Sequence, residues 1–315
     1  MKRDGICVCS VLGALHRPLP RAILTQGARP RNEKRRIIMK LQYWGTAAAE
    51  GVPAIFCRCE ICKEARKRGG RNLRGRPNAM IDGVLKIDFN ADTYAQSLKY
   101  GVDLTEVHHL LVTHTHSDHF YPNDVYFRRQ GYGHFRGEDA SFEVYGSEKV
   151  RDQIKHMLED KGFEGRISFT EMKPFRTQQI GAYSVTAYPA VHAQWAGPLV
   201  YRIEKDGKNL LYCHDSGPLK EDVFAHWRAN GVVFDFVSLD CTEGCTHIDY
   251  DAHMNLERDI AMRKRMLEDG FANEKTVFCC NHFSHNGSHS LYDEFVEIAA
   301  KEGFIVSFDG MEVEI

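Results

Sequence analysis

His114-Thr115-His116-Ser117-Asp118-His119 is the stretch whose reading decides the fold. It follows directly on Leu110-Leu111-Val112-Thr113, an apolar run expected to be a buried strand. At a strand end, positions i and i+2 project to one side, so His114 and His116 can grip one ion. The chain must then turn, which lets Asp118 and His119 face a second position. Four metal-type side chains in six residues argue against a histidine-rich surface loop.

The chain around this stretch has 315 residues, with 41 Lys plus Arg, 43 Asp plus Glu and 16 His, a net charge of -2. Hydrophobic residues at 43% and charged residues at 27% exclude a collagenous, fibrous or wholly disordered chain. No apolar run approaches the roughly 20 residues of a membrane helix, so no membrane partner is expected. Charge is uneven. Residues 1–38 hold nine basic and two acidic side chains, net +7; the remaining 32 basic and 41 acidic residues leave -9. Residues 1–38 are expected to be a disordered basic N-terminal extension. Ile6–Leu15 only weakly imitates a signal peptide, since Asp4 interrupts its basic flank. Met39 stands directly before the first expected strand. An acidic body does not favour broad nucleic-acid binding, which needs basic surface.

Residues 39–315 read as one domain. Eleven strand candidates run from Met39–Gly45 to Ile305–Phe308, with six helices at Glu60–Gly69, Thr93–Tyr100, Ser147–Lys161, Lys220–Asn230, Asn255–Gly270 and Ser290–Lys301. This succession predicts an α/β (α+β) protein with sheets covered by helices.

His114-x-His116-x-Asp118-His119 resembles the signature of the metallo-β-lactamase superfamily of hydrolases. Three later motifs agree in order: Tyr188-Pro-Ala-Val-His192, Leu211-Tyr-Cys-His-Asp215-Ser-Gly217 and Cys280-Asn-His282. The resemblance spans about residues 40–310 and implies an αββα four-layer sandwich with two divalent ions at one edge of its sheets. It implies His114, His116 and His192 on one ion, Asp118, His119 and His282 on the other, and Asp215 bridging. The mixed histidine and carboxylate shell suits zinc or manganese. Asp215 fits the bridge because a carboxylate can offer one oxygen to each ion.

Cys57-Arg-Cys59-Glu-Ile-Cys62 places three thiols in six residues, a spacing that suits tetrahedral zinc better than disulfides. His285, three residues after His282, is the expected fourth ligand. The set resembles the structural zinc site of the PhnP-like subfamily, whose namesake is the cyclic phosphodiesterase of the C–P lyase pathway. PqqB carries a related cysteine motif. A thiol-based site favours a reducing, cytoplasmic setting.

In PhnP-like and tRNA-processing relatives, a histidine between the Asp215 and His282 motifs helps protonate the leaving oxygen. His253 is the candidate here, with His247 second. Catalytic roles are therefore expected of Asp118 and His253. Arg128 and Arg129 are candidates for a second phosphate. The expected activity is metal-dependent hydrolysis of a small, cyclic phosphodiester, an anionic partner; a homodimer is allowed. The alternatives are an RNA-processing nuclease of the ribonuclease Z type and a non-catalytic PqqB-like metal-binding protein. The first needs an RNA-gripping arm and basic surface, which are not evident. The second would be favoured by loss of a ligand, and none is lost. A glyoxalase II-like thioesterase would carry a helical domain after the last histidine, and a β-lactamase a cysteine where Asp215 stands.

Overall fold

The computed structural model describes residues 39–135 and 141–315; the extension expected at 1–38 lies outside them. Fourteen strands form two seven-stranded sheets. The first holds β1 (Lys40–Gly45), β2 (Asn78–Ile81), β3 (Leu85–Ile87), β4 (His109–Leu111), β5 (Glu143–Gly146) and β6 (Ser168–Glu171) in that order, with β14 (Glu312–Glu314) outside β1. The second runs β7 (Thr177–Ile180), β8 (Tyr183–Pro189), β9 (Leu199–Lys205), β10 (Lys208–Cys213), β11 (Phe236–Asp240), β12 (Val277–Asn281) and β13 (Phe304–Val306). The six helices are α1 (Glu60–Arg68), α2 (Thr93–Tyr100), α3 (Glu148–Glu159), α4 (Glu221–Ala229), α5 (Leu256–Glu268) and α6 (Tyr292–Lys301). All lie where the sequence predicts them, to within two residues at each end.

Period-two alternation builds the layers. Ala79 and Ile81, Leu210 and Tyr212, and Cys279 point between the sheets into one shared core. Their neighbours Leu211, Cys213, Phe278 and Cys280 point the other way, onto Trp227 of α4, Met266 of α5 and Phe295 of α6. On the far side, Met80, Leu110 and Val144 meet Val150, Ile154 and Met157, which recur at helical spacing along α3. Helix, sheet, sheet and helix thus make the αββα sandwich, each large apolar side chain contributing roughly 1.5–3 kcal/mol on burial.

Topology places the site. Strands β3, β4 and β5 are parallel, and β8, β10, β11 and β12 share one direction. Their carboxyl ends therefore open at common edges. The segments that leave those ends carry Asp88, His114, His192, Asp215 and His282, with Asp240 the last residue of β11.

Candidate metal centre

Three of these residues leave their strands through a sharp left-handed turn: Asp88 at φ 57°, Asp215 at φ 53° and His282 at φ 65°. Asp and His tolerate that region better than most residues. The turns aim short polar side chains back across the sheet ends, into a buried cluster.

Among the described residues three overlapping donor groups form here: Asp215, Asp240, His253 and His282 make one, beside the two expected sets. His114, His116, His192 and Asp215 present ligand atoms within 4.8 Å of one another, as do Asp118, His119, Asp215 and His282. Asp215 belongs to both. Its Oδ2 lies 3.0 Å from His114 Nε2, 3.2 Å from His192 Nε2 and 3.3 Å from His119 Nε2. Sequence reasoning assigned one carboxylate oxygen to each ion. In the structure Oδ2 faces histidines of both groups, while Oδ1 lies 3.2 Å from His253 Nδ1.

The donors fit divalent ions. Asp88, Asp118, Asp215 and Asp240 are buried together, and among the described residues their ion-pair partners are histidines alone. His282 Nε2 is buried with no hydrogen-bond partner, and Asp215 Oδ1 has only the 3.2 Å approach of His253 Nδ1. Such groups are costly without a compensating partner, and a cation supplies one. Burial, followed by the neighbouring His119, pulls His114 down to about 4, so it is a neutral imidazole ready to coordinate. Burial opposes ionisation of Asp215, but His282, His114, His116 and His119 outweigh it and hold the carboxyl well below the usual range.

Around the ligands stands a set of orienting groups that sequence reasoning missed. Asp88 Oδ2 is 2.7 Å from His119 Nδ1 and also accepts from Thr113 Oγ1 at 2.9 Å. Thr242 Oγ1 meets His282 Nδ1 at 2.8 Å, with Asp240 Oδ2 at 3.4 Å from the same nitrogen. These contacts leave each Nε2 facing the ion positions. A carboxylate directly after or at the end of a strand parallel to a ligand-bearing one was the available signal. Partners of this kind typically change metal affinity or activity by about 10–100-fold. Asp88→Asn is therefore expected to weaken metal binding at the His119 group by about that factor, measured by metal titration of apoprotein. Unchanged affinity would mean that His119 is oriented by something else.

His253, the sequence's candidate acid, lines the same cleft of about 310 Å³, together with Glu50, Glu243 and Tyr250. Its Nδ1 is 3.4 Å from Asp240 Oδ2 and 3.3 Å from Thr242 Oγ1. Burial disfavours its charge, but Asp240, then Asp215 and Glu243, outweigh that and raise it to about 9. His247 is elsewhere: it is exposed and pairs with Glu257 at 3.1 Å. Neither Arg128 nor Arg129 lines the cleft. Arg129 pairs with Asp160 at 2.8 Å, and Arg128 donates to the Arg166 carbonyl and packs over Phe142. Arg128 and Arg129 end a short 3₁₀ turn that leads away from the metal loop, which is why adjacency in sequence misleads here.

The thiol cluster also closes as expected. Cys57, Cys59, Cys62 and His285 bring their donor atoms within 4.8 Å of one another. Cys57 Sγ and Cys59 Sγ each stand 3.6 Å from His285 Nδ1. Tetrahedral zinc with ordinary bond lengths places such donors about 3.5–3.6 Å apart. Burial raises the Cys62 thiol to about 12, so only a bound cation would ionise it near neutrality. The loop after β12 feeds both sites: Phe283 donates to the Thr46 carbonyl at 3.0 Å and Ala48 to that of Phe283 at 2.9 Å, between His282 and His285. Cys59→Ser is accordingly expected to lose one tightly held zinc and to lower Tm by roughly 8–16 °C, from a loss on the order of 4 kcal/mol. Metal content and a thermal scan check this together; equal zinc content and Tm in both proteins would leave the cysteines as a free thiol cluster.

A family model described as the beta-lactamase superfamily domain matches residues 78–268. The chain belongs to this superfamily, as a metallo-β-lactamase-fold hydrolase. No curated protein matches it in sequence. Among solved structures it is similar to a diphosphatase from the PhnP family (19% identity, TM-score 0.67), covering 89% of this chain and 98% of that one. It is also similar to Zn(2+)-bound PqqB from Methylobacterium extorquens (17%, TM-score 0.60), over 88% and 100% of the two chains. The short form of human tRNase Z follows at 14% and TM-score 0.56, over 87% and 98%. These likenesses are likenesses of fold. No helix among the described residues is long and apolar enough to cross a membrane.

Proposed function

We propose that the protein is a phosphodiesterase that hydrolyses a small, cyclic phosphodiester. The observation that carries this reading is His253. A phosphodiester expels an alkoxide, a poor leaving group that needs a proton as it departs; a thiolate needs none. His253 is anchored through Nδ1 by Asp240 and Asp215, and their charge keeps it protonated, its pKa lifted to about 9. This leaves Nε2 as the atom that gives its proton to the leaving oxygen.

His114, His116 and His192 would hold one divalent ion, Asp118, His119 and His282 the other, with Asp215 between them. Bound there, two such ions supply an ionised water near neutral pH and stabilise charge on the phosphoryl oxygens. The chain's own contribution is to fix the ligand nitrogens through Asp88, Thr113, Asp240 and Thr242, and to shape the cleft. Trp195 lies against His116, ring centroids 4.9 Å apart, and is 70% exposed. It offers a flat apolar face for the sugar or base of a ribose phosphate. Zinc or manganese would serve in the hydrolytic pair, and the thiol site suits a structural zinc in a reducing cytoplasm.

The test is a substrate panel on metal-loaded protein: bis-p-nitrophenyl phosphate, a cyclic ribose phosphate, a thioester and a β-lactam. Turnover confined to the two phosphodiesters is expected. Faster turnover of the thioester or the β-lactam would replace this reading.

A further inference from the structure

We propose a further metal site, for zinc or a similarly soft cation, at Cys241, Asp259 and Cys280, apart from the hydrolytic pair and the Cys57 cluster. All three side chains are fully buried, and their donor atoms lie within 4.8 Å of one another. Cys280 Sγ stands 3.5 Å from Asp259 Oδ2. That is the separation of about 3.5 Å that tetrahedral zinc imposes on a thiolate and a carboxylate. The other oxygen, Asp259 Oδ1, is buried with no hydrogen-bond partner. Among the described residues Asp259 forms no ion pair, and the apolar side chains of the core between β11, β12 and α5 surround it. A carboxyl group there is costly unless something compensates it. Cys245, half-buried, packs against the same core from the loop that carries Cys241, outside the three-residue donor group.

The position gives the site a purpose. Cys241 follows Asp240, which contacts His253 and His282, and Cys280 precedes His282 by two residues. The first turn of α5 supplies Asp259. An ion here ties both active-site loops to α5 from behind. Binding displaces the two thiol protons and the proton of the buried Asp259 carboxyl to solvent and leaves all three ligands ionised.

The experiment is zinc per chain by native mass spectrometry of the full chain, wild type against Cys280→Ser, with phosphodiesterase turnover measured alongside. One zinc fewer in the variant is the expected result, with any change in turnover reporting how far the ion steadies the two loops; equal zinc counts would overturn the site. Should Cys280→Ser fail to fold, Cys241→Ser decides by the same count. It should likewise hold one zinc fewer than wild type. A wild-type zinc count in Cys241→Ser would overturn the site.

Discussion

Asp215→Asn is expected to lower phosphodiester turnover by roughly 10³-fold or more while leaving the fold in place. The size follows from position. Asp215 is the one residue common to both donor groups, and its Oδ2 is the oxygen that His114, His119 and His192 all face. An amide of the same shape keeps the packing but removes the negative charge on which both groups converge. Several kcal/mol of transition-state stabilisation then goes, at about 1.4 kcal/mol per tenfold in rate. Turnover at saturating metal, with circular dichroism for the fold, checks it. Near-wild-type turnover by a fully loaded variant would contradict a shared centre.

His253→Ala is expected to cost about 10²–10⁴-fold, and the cost should depend on the leaving group. With an alkoxide leaving group the missing proton must come from water, so the full loss appears. With p-nitrophenolate, which departs unprotonated, the loss should shrink. The comparison separates proton donation from damage to the ligands, because His253 also approaches Asp215 Oδ1 at 3.2 Å. An equal loss for both leaving groups would assign His253 to positioning.

Much of this architecture is legible along the chain because its signals are local. The ligand motifs each follow an apolar strand, and every helix carries its own periodicity and ends. What escaped has a physical cause. The strands β6, β7 and β14 were not predicted. They carry mostly polar side chains, as in Ser168–Glu171 and Thr177–Ile180, and each lies at a sheet edge where burial no longer selects apolar residues. Lys86 is a second case. It occupies a strand position that faces away from the inter-sheet core, yet it is fully buried and donates to Asn78 Oδ1 at 2.7 Å and to the Ala79 carbonyl at 3.1 Å. Composition marks such a lysine as surface; these buried acceptors, with Trp44 packed 4.7 Å from its ammonium, make it interior. Asp88 and Asp240 are the third. Their partners His119 and His253 lie 31 and 13 residues away, so no local pattern joins them.

The candidate site divides the same way. Residue types and spacing pointed to His114, His116, Asp118 and His119; the resemblance to the superfamily signature implied His192, Asp215 and His282. The choice between His253 and His247 needed the turn after Asp240, which carries one into the cleft and leaves the other in solvent.

The central claim, a small cyclic phosphodiester as substrate, is tested most directly by one competition: kcat/KM for a cyclic ribose phosphate against that for a 3′-extended tRNA, on the same metal-loaded protein. The account predicts turnover of the cyclic diester and a higher kcat/KM for it, since the cleft is small and the body acidic. Efficient trimming of the tRNA with no turnover of the cyclic diester would contradict it.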